Sequence, residues 1–201
     1  MIIKRFTVLT LGIFTMAALF GQTARQVLDK TSEVLSNESG ITCKFSITNS
    51  PLGNTSGTLD VKGSKFKVSV PQAILWFDGS TQYTYMKQQE EVNISSPSSS
   101  QLQAINPINF INMYKEGYKY SLTTTNVNYI VTLTSTVASR SLEEMVLTIS
   151  KSTYVPSQIV MKQRGKSITI NISDFKKANH SDTLFKFNSK DYPGVEVIDL
   201  R

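Results

Sequence analysis

The sequence is poor in the residues on which enzymes and metal sites depend. Its 201 residues include one histidine and one cysteine. A serine or cysteine nucleophile needs a nearby histidine that a carboxylate orients, and His180 lies in the run 179–182, whose composition is typical of a surface turn. A zinc site needs several clustered His or Cys ligands, and the glycines form no phosphate-binding pattern. The sequence therefore predicts no enzyme, no metal site and no cofactor.

A disulfide and a strong charge are also missing. Cys43 has no partner for an internal disulfide, and its neighbours Ile41, Phe45 and Ile47 predict that it is a small buried side chain. The formal net charge is only +6, and the basic residues are scattered over outward strand positions. Because a nucleic-acid groove would cluster them with stacking aromatics, this pattern indicates a solvated surface and no nucleic-acid partner.

The longest apolar run lies at the N-terminus. Lys4 and Arg5 precede an apolar segment at 6–20, which predicts a secretory signal peptide over residues 1–21. The remaining residues, 22–201, are enough for one domain with a substantial core. A retained membrane anchor is the alternative, but the run is shorter than the roughly 20 residues that a spanning helix needs. No cysteine closely follows the predicted cleavage site, so we expect no lipid on the mature N-terminus.

The hydrophobic period changes once near the start of the domain. Apolar residues recur at helical spacing over 24–36, and the period is two from residue 41 onward. A second short helix is predicted over 106–114, with Asn106 as its N-cap and Pro107 as its first residue. About eleven short antiparallel strands with two or three short helices predict a mainly β fold, in which a curled sheet packs helices against its concave side. The predicted strands are 41–48, 57–62, 65–70, 73–77, 82–86, 91–95, 118–123, 128–135, 144–150, 158–163 and 167–174, with short extended pieces at 184–187 and 195–199.

Two-residue turns fix which side chains share a face in the hairpins. A turn at Gly63-Ser64 pairs Val61 with Phe66 and Leu59 with Val68. A turn at Arg164-Gly165 pairs apolar residues in the same way. A turn at either Asp78-Gly79 or Gly79-Ser80 places Trp76 on one face with Tyr83 and Tyr85, together with Ile74. We expect all these apolar residues to lie on one shared face of the sheet.

A series of segments after the predicted signal peptide carries a family likeness. In order and spacing the series resembles the periplasmic outer-membrane lipoprotein carriers, the LolA-like family. The resemblance implies an unclosed antiparallel β-barrel with a lid of short α-helices over an apolar cavity, which takes the acyl chains of a lipoprotein. The segments are the first helix, Ile41-Thr42-Cys43-Lys44-Phe45, 57–62, Phe66, 74–79, 83–85, 91–92, 106–111, 185–187 and 193–199.

The resemblance also assigns residues to the cavity and to the lid. Alternation alone would favour the core of a filled sandwich or barrel, because buried apolar residues usually only pack. The resemblance reverses that preference. The tyrosine rings grouped with Trp76 also favour a cavity, because rings that carry a hydroxyl suit a wet cavity rim better than a dry core. The expected cavity residues are Leu59, Val61, Phe66, Val68, Trp76, Tyr83 and Tyr85. The expected lid residues are Ile108, Phe110 and Ile111.

One position departs from the family pattern. In the characterised carriers an arginine directly follows the Val-Lys of the strand that Val61-Lys62 matches, bonds to the lid and is tied to cargo release. This chain has Gly63 there. Lys62 or Lys65 could substitute, although lysine lacks the planar fork of arginine.

The resemblance implies a monomeric, soluble periplasmic carrier that ferries acylated lipoproteins from the inner to the outer membrane. Its expected partners are the cargo lipoprotein, an inner-membrane lipoprotein-releasing transporter and an outer-membrane receptor. The alternative is an envelope sensor or scaffold module of the same fold, which binds a lipoprotein or a protein partner without transport. A third hypothesis, the receptor itself, is disfavoured because that protein normally carries a lipid-modified N-terminal cysteine.

Overall fold

The computed structural model covers most of the predicted domain. The predicted signal peptide and the predicted lid residues Ile108, Phe110 and Ile111 lie outside the described residues. Within the described part of the chain, no helix has the length and apolar character needed to cross a bilayer. The described residues are 22–36, 38–50, 53–98 and 113–201.

Helix α1 spans Ala24–Leu35 and is followed mainly by strands. Three short 3-10 turns lie at Met113–Lys115, Asp182–Phe185 and Ser189–Asp191. The extended piece predicted at 184–187 is wrong in part, because its first two residues belong to the second of these turns. The strands are β1 (Ile41–Thr48), β2 (Thr55–Lys62), β3 (Lys65–Ser69), β4 (Ala73–Phe77), β5 (Gln82–Met86), β6 (Glu91–Ser95), β7 (Tyr118–Thr124), β8 (Asn128–Ser135), β9 (Leu142–Ser150), β10 (Pro156–Gln163), β11 (Lys166–Lys177) and β12 (Glu196–Asp199).

Among the described residues, twelve strands form a single sheet in the order β12-β6-β5-β4-β3-β2-β1-β11-β10-β9-β8-β7. The two end strands, β7 and β12, do not pair with each other, so the sheet stays unclosed. Neighbouring strands are antiparallel except β12, which runs parallel to β6. The predicted fold, an unclosed and mainly antiparallel β-barrel with few helices, is confirmed, with twelve strands instead of about eleven.

The predicted hairpin turns set the register where the sequence placed them. Gly63 adopts a φ of +58°, which a glycine tolerates at the first position of a two-residue turn. The flanking strands pair Val61 with Phe66 and Leu59 with Val68. The second hairpin turns at Arg164-Gly165, where both residues have positive φ. Turn chemistry therefore determines which side chains are neighbours inside each hairpin.

The sheet has two differently covered faces, which we name by their covers. The helix face packs against α1, and the tail face is the opposite side, on which residues 178–195 lie. Helix α1 begins with a capping box, in which Gln26 N–H donates to Thr23 Oγ1 and Thr23 N–H donates to Gln26 Oε1. The apolar stripe of α1 is buried against the helix face through Ala24, Val27, Leu28 and Leu35.

Strand β4 is apolar on both sides. The apolar residues of the strand before it point to one face of the sheet, and those of the strand after it point to the other face. In β3, Phe66 and Val68 point to the helix face. In β5, Tyr83 and Tyr85 point to the tail face instead. A strand that is covered on both faces reads as a continuous apolar run, and β4 is Ala-Ile-Leu-Trp-Phe. The sheet therefore moves its apolar side from one face to the other at β4.

Candidate functional site

The helix face carries an apolar cluster near the end of α1. Val61 and Phe66 are 2% and 0% exposed, and the Phe66 and Phe77 rings lie 5.3 Å apart between centroids. Leu35 of α1 closes this cluster together with Ile41. The structure thus brings Val61 and Phe66 together as predicted, in a group that the helix covers.

Partly buried apolar side chains surround this closed centre. Leu59 and Val68 pack against the cluster and retain some exposure, as does Leu75, which pairs with Val68 across β3 and β4. Sequence reasoning missed Leu75 and Phe77. The sequence did contain a signal for them. A two-residue turn at Pro71-Gln72 pairs even-numbered residues of β3 with odd-numbered residues of β4, so Leu75 and Phe77 lie on the same face as Phe66 and Val68.

A second apolar cluster lies under the N-terminal half of α1. It brings together strands β7 to β11, so the helix spans both clusters with one apolar stripe. Its fully buried members include Val27, Leu28, Val131, Leu133, Met145, Leu147 and Ile149. In the part of the chain that the structure describes, the helix face is therefore an extended apolar surface that the 12-residue helix α1 crosses.

Three predicted cavity residues lie on the other side of the sheet. Trp76 is paired with Lys67, so it points to the tail face together with Tyr83 and Tyr85. The Trp76–Tyr83 pairing itself is as predicted, but the expectation of one shared face is wrong. The physical reason is the tight turn between β3 and β4, where Val70 N–H donates to Ala73 O at 2.9 Å.

The C-terminal segment covers these three aromatic rings. The Trp76 ring is edge-on to Phe187 at 5.8 Å and to Tyr192 at 5.7 Å between centroids. Tyr192 also meets Tyr85 at 4.9 Å, and Phe187 meets Tyr83 at 6.0 Å. Trp76 is consequently only 3% exposed. The aromatic group is a packed interior on the tail face and offers no open rim.

Lysines at the tip of the β2–β3 hairpin also hold this C-terminal segment. Lys62 Nζ lies 2.9 Å and Lys65 Nζ 2.7 Å from the carboxylate of Asp182. The hydrogen bonds from Lys65 and then Lys62 lower the pKa of Asp182 to about 2. Lys62 also donates to the carbonyl oxygen of His180 at 2.8 Å. Both lysines point to the tail face, where Asp182 engages them.

The single histidine is docked against the sheet instead of lying in a solvated turn. His180 Nε2 is 3.0 Å from the carbonyl oxygen of Ile41 and 3.5 Å from Asp60 Oδ1. Its ring also lies edge-on to the buried Phe185 ring at 5.8 Å. Cys43 is buried as predicted, and this burial, followed by the charge of Asp60, raises the pKa of its thiol to about 11. In this arrangement His180 and Cys43 both pack against the sheet.

Two tyrosines outside the strands bond to α1 or to the residues just before it. Tyr114 Oη donates to Asp29 Oδ1 at 2.5 Å, and Tyr154 Oη donates to Gln22 Oε1 at 3.0 Å. Burial, followed by the bond to Asp29, raises the pKa of the Tyr114 hydroxyl. Tyr154 Oη also accepts a hydrogen bond from Lys30 Nζ at 3.4 Å, so these bonds reach from Gln22 to the middle of the helix. The second half, which ends at Leu35, packs on the cluster around Phe66.

A depression of about 400 Å³ lies on the tail face between β1, β2 and β11. Five of its eight lining residues carry a hydroxyl or amide side chain. Lys44 at its edge is paired with Asp174 at 2.8 Å. Among the described residues, no three His, Cys, Asp or Glu side chains are grouped so that they could hold a metal ion. The lining residues are Lys44, Phe45, Ser46, Ser56, Gly57, Thr58, Asn171 and Ser173.

Solved structures that are similar to this one are distant in sequence. An uncharacterised conserved protein from Thermus thermophilus has a TM-score of 0.62 and 14% identity, over 89% of this chain and 99% of the other. A LolA superfamily protein from Nitrosomonas europaea has a TM-score of 0.45 and 14% identity, over 83% and 99% of the two chains. The Mycobacterium tuberculosis lipoprotein LppX has a TM-score of 0.47 and 12% identity, over 79% and 96%.

Sequence comparison gives the family. No curated protein matches the chain. Residues 14–166 match the family model described as outer membrane lipoprotein carrier protein LolA. The matched range covers α1 and the strands up to β10, and it ends before the segment that covers the tail face. The chain therefore belongs to the family of outer membrane lipoprotein carrier proteins, LolA.

Proposed function

We propose that this protein is a soluble periplasmic carrier that binds the acyl chains of lipoproteins and ferries them from the inner to the outer membrane. In this proposal residues 1–21 are a signal peptide that is removed on export, and residues 22–201 are the carrier domain. The observation that carries the proposal is the extended apolar helix face, which α1 covers among the described residues, in a chain of the carrier family. The proposed activity involves no chemistry on the cargo.

The free energies favour an exchange between helix and cargo. Exposing an acyl chain of roughly 14 methylenes to water costs about 11 kcal/mol, and a triacylated lipoprotein faces roughly 30 kcal/mol. The buried side chains of Val27, Leu28 and Leu35 contribute roughly 5–9 kcal/mol together when α1 covers the sheet. Because burial of one acyl chain and burial of the α1 side chains contribute free energies of the same order, the helix can compete with the cargo one acyl chain at a time, although not with all three chains at once. Binding can then be strong enough for transport and still reversible.

The acyl site that we propose is confined to the helix face. Trp76, Tyr83 and Tyr85 are not part of it, since the tail covers them on the opposite side. The lid role of Ile108, Phe110 and Ile111 is carried over from the family resemblance. The sheet residues proposed to contact the acyl chains are Leu59, Val61, Phe66, Val68 and Leu75.

The proposed partners are an acylated lipoprotein, the inner-membrane transporter that supplies it and an outer-membrane receptor. Gly63 stands where the family has its arginine, and Lys62 and Lys65 are engaged by Asp182. In this proposal cargo release does not use a lid bond at that position. Competition between α1 and the acyl chains for the helix face provides the release step.

Adjacent residues of β4 provide a matched test of the acyl site. Leu75 and Ile74 are both half-buried, but Leu75 points to the helix face and Ile74 to the tail face. We expect Leu75→Ser to weaken binding of a dansyl-labelled fatty acid about tenfold or more, or about 1.4 kcal/mol, and Ile74→Ser to leave it within about twofold. Fluorescence titration measures both. An equal effect of the two substitutions would contradict the site.

A transfer experiment tests the carrier function itself. The protein is incubated with membranes that contain a triacylated lipoprotein, and the soluble fraction is then examined for a complex of the two. A carrier extracts the lipoprotein into the soluble fraction, and Leu75→Ser reduces the yield. Binding of the fatty acid without extraction would reject transport and favour the sensor or scaffold alternative.

A further inference from the structure

Two turns and the first helix meet at one end of the sheet, around a pair of stacked tyrosines. The rings of Tyr129 in β8 and Tyr154 in the β9–β10 turn lie 5.9 Å apart at an interplanar angle of 26°. Lys30 Nζ of α1 is 4.8 Å from the Tyr154 ring centroid, and Lys151 Nζ is 5.4 Å from that of Tyr129. Lys151 N–H donates to Val127 O at 2.9 Å, so the β7–β8 turn joins the group. We call these five residues the lysine–tyrosine cluster.

Two acidic residues of α1, Asp29 and Glu33, lie within one turn of Lys30, but the turn that carries Lys151 contains no acidic residue. Within the described ranges, neither Lys30 nor Lys151 forms an ion pair with a carboxylate. The sequence contains no aspartate or glutamate over 117–142 or over 145–173, the stretches that supply both turns. Lys151 is therefore the charged residue of these two turns, and its charge is positive.

An apolar side chain projects from the same place. Val127 is 68% exposed, whereas Tyr129 and Tyr154 are half-buried against the core of the helix face. Tyrosine rings with basic and aliphatic neighbours are the combination found at membrane–water interfaces, because the rings lie at the level of the headgroups and the ammonium groups meet anionic lipids. The small exposed area fits a peripheral and reversible contact.

The cluster lies beside the cover of the helix face. Lys30 belongs to α1 itself, and Tyr154 donates to Gln22, which directly precedes the helix cap. We infer that the lysine–tyrosine cluster is a docking surface for an anionic phospholipid membrane, which brings the α1 end of the helix face against the bilayer. The inference goes beyond acyl-chain binding and does not depend on it.

Vesicle sedimentation tests this surface on the protein as purified after export, with its N-terminus determined by mass spectrometry. The vesicles contain phosphatidylglycerol and phosphatidylethanolamine, and pure phosphatidylcholine vesicles serve as the neutral comparison. The variant combines Lys30→Gln with Lys151→Gln. The control combines Lys166→Gln with Lys190→Gln, which removes the same charge from exposed positions elsewhere.

The wild type should sediment with the anionic vesicles and much less with the neutral ones, and added salt should release it. The cluster variant should lower the partition coefficient about 30-fold, corresponding to about 1 kcal/mol for each lysine near an anionic surface. The control should bind as the wild type does. Equal losses in variant and control, or no vesicle binding by the wild type, would overturn the inference. Binding of the dansyl-labelled fatty acid without vesicles should be the same in all three proteins, so failure here is distinguishable from failure of the acyl site.

Discussion

The helix face and the tail face are both apolar around β4, and they are covered in different ways. Helix α1 lies over the helix face with a stripe of aliphatic side chains, including Val27, Leu28 and Leu35. The C-terminal segment lies over the tail face with interlocked aromatic rings and with Asp182 between two lysines. The cover of the helix face is therefore mainly aliphatic, whereas the cover of the tail face consists of aromatic ring contacts and an ion pair.

The difference indicates which cover the proposed cargo could displace. Burial of aliphatic side chains is non-directional, so a hydrocarbon chain can replace them at little loss. Edge-on ring contacts and a carboxylate between two ammonium groups require particular partners in particular places. A fatty acyl chain offers neither. The helix face is therefore suited to exchange, and the tail face is suited to permanent closure.

The largest effect should come from the centre of the helix face. Phe66→Ala removes a fully buried ring that packs on Phe77. We expect the free energy of unfolding to fall by about 3–5 kcal/mol, because the lost burial is accompanied by a cavity. Urea unfolding followed by circular dichroism measures the change. A loss below about 1 kcal/mol would show that the helix face is not the cohesive core and would undo the comparison.

A smaller effect should come from the aromatic cover of the tail face. Tyr192→Ala removes ring contacts with Trp76, Tyr85 and Phe187. We expect a loss of about 1–2 kcal/mol, since each aromatic pair contributes about 0.5–1.5 kcal/mol and the ring is only half-buried. The single tryptophan reports the change directly. Acrylamide should quench Trp76 fluorescence more strongly in this variant.

The control for that experiment is Tyr120→Ala, on an exposed tyrosine of the end strand β7. It should leave the quenching of Trp76 unchanged. Addition of the dansyl-labelled fatty acid should likewise leave the acrylamide quenching of Trp76 unchanged in the wild type, because Trp76 lies on the opposite face from the proposed site. Protection or exposure of Trp76 by the fatty acid would mean that the two faces are not independent.

The smallest effect should come from the charged contact of the tail. The pKa of Asp182 is about 2 in the folded protein and about 3.9 when unfolded. A lowered pKa contributes stability above about pH 4, and this contribution is lost as the pH falls towards about 2. The thermal midpoint of the wild type should therefore exceed that of Asp182→Asn at pH 6, and the two should converge near pH 2. The difference should be modest, because this ion pair is largely solvated.

The matched control for the charged contact is Glu33→Gln on the exposed side of α1. It removes the same charge and leaves the tail contacts intact, so it should not reproduce the pH dependence of Asp182→Asn. A difference between wild type and Asp182→Asn that persists below pH 2 would mean that Asp182 acts through something other than its charge.

Much of the sheet could be predicted because its information is local. The turns at Gly63-Ser64 and Arg164-Gly165 determine the pairs on either side of them, and both registers are as expected. The stripe on α1 likewise follows from helical spacing. The assignment of one shared face failed at β4, where every residue is apolar and the alternation carries no information about sides. The turn at Pro71-Gln72 contained that information.

By itself the sequence determined the strands, the hairpin pairs, the amphipathic first helix and the family, because these depend on periods of two or 3.6 and on turn residues within a few positions. Only the tertiary structure decided that Trp76, Tyr83 and Tyr85 belong to a closed aromatic layer, and that Lys62 and Lys65 hold the tail. Those contacts join residues about 100 positions or more apart along the chain. Such contacts depend on how the whole sheet curls and where its last segment returns, which no local pattern encodes.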